Sequence, residues 1–147
     1  MIDINKHLEF FNPTTVTDDI HIIGVGAVGS YIALQIAKLG TSRLHIWDFD
    51  TVEEHNITNQ VYTFKDIGRL KTEALKDHLQ ASNPEMEVIT HGKYERQPLT
   101  GYIFMEVDSV ELRHRIAEQN QFNRLIKYVI DGRIGLSSGQ VFVVEVC

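Results

Sequence analysis

The sequence predicts an α/β domain of the Rossmann-like type, with a mainly parallel sheet and helices on both of its faces. Three observations support this fold class. Apolar strand-like and helix-like segments alternate along the chain, a glycine-rich turn follows the first strand, and an acidic residue follows the second strand. Such alternation is typical of a parallel sheet, because parallel neighbours need a crossover connection.

The predicted strands are short segments rich in Val, Ile and aromatic residues. They cover residues 19–24, 43–47, 86–90, 102–107, 125–130 and 140–144. The predicted helices have apolar residues at three- and four-residue spacing and cover residues 28–39, 66–79 and 110–120. Gly40 provides a C-terminal stop for the first helix, and Asn83-Pro84 ends the second. The expected apolar positions of the later two helices are Leu70, Ala74, Leu75, Leu79, Val110, Leu112, Ile116 and Ala117.

Composition limits the classes of protein that the chain can represent. Of its 147 residues, 43% are hydrophobic and 23% are charged, which is ordinary for one globular domain. We treat residues 1–147 as a single domain that is either naturally short or lacks a C-terminal part. No apolar run is long enough to span a membrane, and no signal peptide is evident, so we expect a cytoplasmic protein. The net charge of −6 argues against non-specific nucleic-acid binding.

The glycine-rich turn predicts a nucleotide site. Gly24 lies where the first strand turns into the loop, Gly26 lets a phosphate approach the backbone, and Gly29 lets the helix pack closely on the strand. The helix N-terminus offers free N–H groups to phosphates. Asp48 follows the second strand, where a carboxylate can accept hydrogen bonds from ribose hydroxyls. These residues leave NAD, FAD, S-adenosylmethionine and ATP as alternatives.

Histidine and cysteine spacing does not indicate a metal site. The seven histidines show no metal-ligand pattern, and we assign none of them a ligand role. The single cysteine, Cys147, excludes an internal disulfide and a Cys-rich zinc site.

The segments after Asp48 carry a more specific pattern. D-F-D-T-V-E-E-H-N-I-T-N-Q at 48–60 is followed by D-I-G-R-L-K at 66–71, V-D-S-V-E-L-R at 107–113 and S-G-Q-V-F at 138–142. Together they resemble the ThiF/MoeB/HesA group of the ubiquitin-activating-enzyme superfamily, over about residues 20–144. The matching positions are Asp48, Asp50, Val52, Asn56, Gln60, Gly68, Lys71, Asp108 and Arg113.

The resemblance implies an ATP-dependent adenylyltransferase, commonly a homodimer. Such proteins activate the C-terminal carboxylate of a ubiquitin-like or sulfur-carrier protein by attack on the α-phosphate of ATP. It also implies a role for each matching residue: Asp48 holds the ribose with Asp50 close by, Asn56, Gln60 and Lys71 face the phosphates, and Asp108 helps to hold Mg²⁺. Lys71 and Asp108 are thereby the candidate catalytic residues.

Each of these residues also has a structural interpretation. Asp48 can cap the loop after its strand, Asp50 and Asn56 can form turns, and Gln60 can be an exposed loop residue. Arg113 is interpreted as a solvated residue of its helix, although it matches the family arginine.

The sequence also departs from the family pattern. Asn59 stands where the family has an arginine at the triphosphate, and Ser109 stands where an asparagine is usual. Cys147 does not match the position of the family's thioester-forming cysteine. Three hypotheses therefore stay open: an adenylyltransferase, a degenerate module that binds nucleotide or protein without turnover, and an NAD-binding Rossmann protein.

Overall fold

A computed structural model of the chain describes residues 3, 5, 6, 8–135 and 137–146. The strands are β1 (Ile20–Ile23), β2 (Arg43–Trp47), β3 (Glu87–His91), β4 (Gly101–Met105), β5 (Ile126–Ile134) and β6 (Gly139–Glu145). The α-helices are α1 (Gly29–Lys38), α2 (Lys71–Ser82) and α3 (Val110–Asn120). Three short 3₁₀ segments cover Pro13–Thr15, Glu54–Thr58 and Phe64–Asp66. None of the described helices has the length and apolar character that crossing a membrane requires.

The six strands form one sheet in the order β3-β2-β1-β4-β5-β6. Strands β1 to β5 run parallel to one another, whereas β6 pairs with β5 in the antiparallel direction. The strand order reverses between β1 and β4, because β2 and β3 extend the sheet to one side and β4 begins the other. Ligands of open α/β sheets bind in the crevice at the carboxyl ends of the strands at such a reversal.

The sheet has a core on each face, which confirms the predicted three-layer arrangement. Alternation along β1 sends Ile22 to one core and Ile23 to the other. The first core contains the apolar positions of α1 and α2, and the second contains Ile116 of α3. Helices therefore cover both faces.

The start of α2 differs from the prediction. Residues Phe64–Asp66 form a 3₁₀ turn in which the Asp66 carboxylate accepts hydrogen bonds from the backbone N–H and hydroxyl of Thr63. Gly68 then takes a left-handed conformation with φ of 86°. The helix therefore begins only at Lys71, and Leu70 is 48% exposed rather than part of the apolar face.

Helix α3 begins and ends as predicted, but its expected apolar face is wrong in part. Ile116 is buried and Leu112 is partly buried, whereas Val110 is 64% exposed and Ala117 is also exposed. Strand β5 extends to Ile134, beyond its predicted end. Every residue of β6 is exposed, including its four consecutive apolar residues 141–144.

Close contact between the glycine-rich loop and α1 explains one of the glycines directly. A Cβ atom on Gly29 would lie 1.9 Å from the backbone oxygen of Gly24, a distance that no side chain tolerates. Gly24 itself has a φ of 93°, which favours glycine. A Cβ on Gly26 would meet nothing within 4 Å. The three glycines therefore have different reasons to be glycine.

We expect Gly29→Ala to lower the free energy of unfolding by about 3 kcal/mol, because the methyl group forces the loop and helix apart. The gain in helix propensity of about 1 kcal/mol does not offset this clash. The matched control, Gly26→Ala, should change stability by less than about 0.5 kcal/mol. Urea unfolding of both variants measures the difference, and equal losses would contradict the contact.

Candidate functional site

A cleft of about 740 Å³ opens at the carboxyl ends of the parallel strands, where the strand order reverses. Its walls come from the glycine-rich loop, the segment after β2, the start of α2 and the segment after β4. Eight of the nine predicted site residues line it: Gly24, Gly26, Asp48, Asp50, Asn56, Gln60, Lys71 and Asp108. The ninth, Gly29, is buried against Gly24.

Asp48 ties two walls of the cleft together. One carboxylate oxygen accepts the backbone N–H of Val25 at 2.9 Å, and the other accepts the N–H of Asp50 at 2.9 Å. The structural interpretation of Asp48 as a loop-capping residue therefore describes contacts that are present. Each oxygen keeps a further lone pair, so Asp48 can also accept hydrogen bonds from a ligand in the cleft.

Lys71 places a positive charge at the start of α2. Its side chain is only 9% exposed, and Nζ lies 3.3 Å from the carboxylate of Asp50. The backbone N–H of Lys71 also donates to the carbonyl oxygen of Asp50 at 2.9 Å. Because the helix N-terminus is itself partly positive, the ammonium adds to a potential that attracts anions.

Asn56 and Gln60 leave hydrogen-bonding capacity at the cleft. The side-chain oxygen of the buried Asn56 accepts the N–H of Glu53 at 2.8 Å in a capping box, while its NH₂ group makes no hydrogen bond within the described residues. The side-chain oxygen of Gln60 is buried without a hydrogen-bond partner in the described structure. Gln60 is thus half-buried rather than an exposed loop residue.

Asp108 and Ser109 lie between β4 and α3. Ser109 is the N-cap of α3, and its hydroxyl accepts the N–H of Leu112 at 3.2 Å. Asp108 is exposed at the cleft and makes no hydrogen bond with the described residues. A single free carboxylate suits Mg²⁺, which keeps several of its waters and takes one or two protein carboxylates.

Glu106 is a site residue that the sequence reasoning missed. It lines the cleft just after β4, and both of its carboxylate oxygens are buried without a hydrogen bond of normal geometry in the described structure. Burial raises the pKa of this carboxyl to about 7, against the opposing effects of the Arg113 guanidinium and the Gly132 backbone. The sequence did contain a signal for this residue, because Glu106 is an acidic residue directly after an apolar strand.

Arg113 is not the solvated residue that its helix pattern indicated. Its side chain is 11% exposed, pairs with the carboxylate of Asp131, and donates to the carbonyl oxygens of Met105 and Gly132 at 3.2 and 3.0 Å. Arg133 contacts the same aspartate at 2.6 Å. Desolvation lowers the pKa of Arg113. This ion-pair network supports the wall of the cleft formed by β5 and α3.

Further basic side chains reach the cleft from outside the predicted set. Lys93, Arg115 and His55 line it, and the Lys93 ammonium lies 5.5 Å from the centre of the exposed Phe49 ring. Asn59 does not line the cleft. It ends the 3₁₀ segment Glu54–Thr58, and its N–H donates to the carbonyl oxygen of Asn56 at 3.3 Å. The expectations about Cys147 are not addressed by the structure, because this residue lies outside the described part of the chain.

The sheet order, the glycine-rich loop and the cleft at the strand reversal define a Rossmann-like α/β protein. The ThiF family matches residues 16–146, and the chain belongs to this family. Among solved structures, PaaA is similar with a TM-score of 0.70 and 25% identity over 82% of this chain and 39% of that chain. A crystal structure of E. coli MccB with MccA-N7isoASN has a TM-score of 0.75 and 21% identity, over 82% and 38% of the two chains.

Curated relatives match a shorter part of the chain. Ubiquitin-like modifier-activating enzyme 5 of Caenorhabditis elegans is 33% identical over 72 residues, which is 49% of this chain and 17% of the relative. The probable adenylyltransferase/sulfurtransferase MoeZ of Mycobacterium tuberculosis is 37% identical over 71 residues, or 48% and 18% of the two proteins. The matched region therefore spans less than a fifth of either relative.

Glu106 gives the stability a pH dependence that can be measured in metal-free buffer. The folded protein holds the Glu106 proton up to about pH 7, whereas the unfolded chain releases it near 4.5. The stability that protonated Glu106 contributes to the folded state is therefore fully present below pH 4.5 and is lost as the pH rises through 7. We expect Glu106→Gln to match the parent at pH 5 and to exceed its free energy of unfolding at pH 8 by about 1–2 kcal/mol.

Thermal or urea unfolding at the two pH values makes this measurement. Glu118→Gln, an exposed position on α3, is the matched control and should give the same difference from the parent at both pH values. If Glu106→Gln behaved like that control, the buried carboxyl would not be held protonated.

Proposed function

We propose that residues 1–147 form a single ATP-binding adenylation domain. In this proposal the domain activates the C-terminal carboxylate of a ubiquitin-like or sulfur-carrier protein. The carboxylate attacks the α-phosphate of ATP, a new bond forms between the carboxylate oxygen and phosphorus, and pyrophosphate leaves. The relatives named as a modifier-activating enzyme and as a probable adenylyltransferase support this choice of reaction.

The observation that carries the proposal is the convergence of distant residues on one cleft. Gly26, Asp48, Lys71 and Asp108 are far apart in the sequence, yet all line the same space at the strand reversal. The glycine-rich turn predicts that Gly26 and Asp48 contact a nucleotide, and the family resemblance assigns Lys71 to its phosphates and Asp108 to its Mg²⁺. A nucleotide explains their juxtaposition better than four independent structural roles do.

Each wall of the cleft suits a different part of ATP. The open backbone at Gly26, the N-terminus of α1 and the Lys71 ammonium suit the phosphates. The free lone pairs of Asp48 suit the ribose hydroxyls. Asp108 would hold Mg²⁺, which neutralises phosphate charge when bound. Phosphoryl transfer depends mainly on such positioning and charge neutralisation.

The missing family arginine does not leave the cleft without positive charge. Besides Lys71, the cleft is lined by Lys93 and Arg115. We propose that these two residues supply part of the charge that the arginine at position 59 supplies in other members. Positive charge for the triphosphate is therefore available at the cleft, although it comes from elements of the fold other than the segment that contains Asn59.

A second candidate is a module that binds ATP or a partner protein without turnover. The uncharged Asn59 and its position outside the cleft favour this alternative. NAD binding is a third candidate, because the glycine-rich loop and Asp48 suit a dinucleotide equally well. Binding of ATP and NAD to the same sample, measured by calorimetry, separates the third candidate from the first two.

ATP–pyrophosphate exchange with Mg²⁺ and a panel of small carrier proteins ending in Gly-Gly tests turnover. We expect exchange that depends on a carrier.

Lys71→Ala should weaken ATP binding about 10- to 100-fold, because a charge-assisted contact to phosphate is lost. Lys65→Ala, an exposed lysine that does not line the cleft, is the matched control. Asp48→Ala should also weaken ATP binding. It removes the carboxylate that holds the glycine-rich loop and that would accept hydrogen bonds from the ribose.

The outcomes separate the candidates. ATP binding without exchange would favour the binding module over the enzyme. Unchanged ATP affinity in both Lys71→Ala and Asp48→Ala would contradict the assignment of the cleft as the nucleotide site.

We further propose that the protein is a homodimer in the cytoplasm, as its family resemblance implies. Light scattering coupled to gel filtration should then give about twice the chain mass of 16.8 kDa. A monomer at all concentrations would contradict this part of the proposal.

A further inference from the structure

Three histidines lie together on the sheet face that α3 partly covers. His21 of β1 and His45 of β2 are direct register neighbours, and their rings stack with centres 4.4 Å apart. Nδ1 of His45 lies 3.0 Å from Nε2 of His91, at the end of β3. Asp19, which precedes β1, lies beside them. We call Asp19, His21, His45 and His91 the histidine cluster.

Three members of the histidine cluster have metal-ligating atoms close to one another. One ligand atom each from Asp19, His21 and His45 lie within 4.8 Å of one another. Nε2 of His45 is 3.6 Å from a carboxylate oxygen of Asp19. Ligand atoms around a tetrahedral zinc ion are roughly 3.3 Å apart, as bonds of about 2.0–2.1 Å require. Small side-chain rotations would therefore close the cluster around an ion.

His21 has an unsatisfied nitrogen in this cluster. The residue is 4% exposed, and its Nε2 atom has no hydrogen-bond partner in the described structure. Its other nitrogen, Nδ1, accepts the indole N–H of Trp47 at 3.2 Å. Buried polar atoms are nearly always satisfied, so the unpartnered nitrogen of His21 needs an explanation. A bound ion would satisfy it.

The chemistry of the donor set indicates which ion fits the site. One carboxylate and two imidazole rings supply the ligand atoms. Imidazole nitrogen favours zinc and similar transition ions over Mg²⁺.

We propose that Asp19, His21 and His45 bind a divalent transition-metal ion such as Zn²⁺. His91 orients His45, because a His45 ring ligated through Nε2 carries its proton on Nδ1 and donates it to His91. The second carboxylate oxygen of Asp19 is held by the Thr100 hydroxyl at 2.9 Å, which leaves the first oxygen for the ion. The site lies at the amino end of β1, away from the cleft at its carboxyl end.

Ion entry and local rearrangement follow from the surroundings. The side chains of Asp19 and His45 are 32% and 17% exposed, so an ion and a completing water can reach them. The Arg43 guanidinium lies 3.4 Å from the Asp19 carboxylate and also pairs with Glu87 at 2.8 Å. Arg43 therefore keeps an acidic partner when an ion binds Asp19. Ligation through Nε2 of His21 places its proton on Nδ1, so the Trp47 indole loses its acceptor.

The loss of that hydrogen bond provides the readout, because Trp47 is the single tryptophan of the chain. Titration of Zn²⁺ into the EDTA-treated protein should give a saturable change in Trp47 fluorescence and a higher melting temperature. Mg²⁺ at the same concentration should give neither. This readout involves no nucleotide, so it succeeds or fails independently of the proposed function.

Two variants test the ligands without altering the buried His21. We expect His45→Gln and Asp19→Asn each to weaken Zn²⁺ binding at least tenfold, since each removes one ligand. His114→Gln, an exposed histidine on α3, is the matched control and should bind as the parent does. Circular dichroism checks that each variant is folded, and the two ligand variants are independent tests.

The proposal is overturned by a Zn²⁺ titration of the parent protein that produces no saturable change. It is also overturned if a folded His45→Gln or Asp19→Asn variant binds Zn²⁺ as tightly as the His114→Gln control.

Discussion

The carboxylate of Asp48 is the constraint on which the cleft depends. It binds the N–H of Val25 in the glycine-rich loop and the N–H of Asp50 in the segment after β2. Asp50 in turn receives both the backbone N–H and the ammonium of Lys71 at the start of α2. One side chain thus aligns three chain segments, and the positions of the loop, the acids and the lysine are not independent of each other.

The local part of this arrangement was predictable from sequence, because its signals are short-range. The spacing of Gly24, Gly26 and Gly29 between an apolar strand and a helix indicated the loop, and Asp48 followed the next strand. The bounds of α2 were less predictable. A capping box at Thr63 and Asp66 competes with helical geometry there, and apolar periodicity does not register such a turn.

The non-local part could not be predicted, because it depends on strand order and register. His21, His45 and His91 are widely separated in sequence and show no ligand spacing, yet β1, β2 and β3 bring them side by side. The same holds for Arg113, whose partner Asp131 lies on β5. Helical periodicity indicated a surface position for this arginine, since a pattern along one helix contains no information on the strand beside it.

The exposed strand β6 has a consequence for how this chain behaves when it is concentrated. It lies at the edge of the sheet, and its residues 141–144 are Val, Phe, Val and Val with every side chain exposed. Such an edge presents unpaired backbone groups flanked by β-forming side chains, which is the pattern that templates aggregation between chains. Strand β6 therefore favours contact between chains along this edge of the sheet.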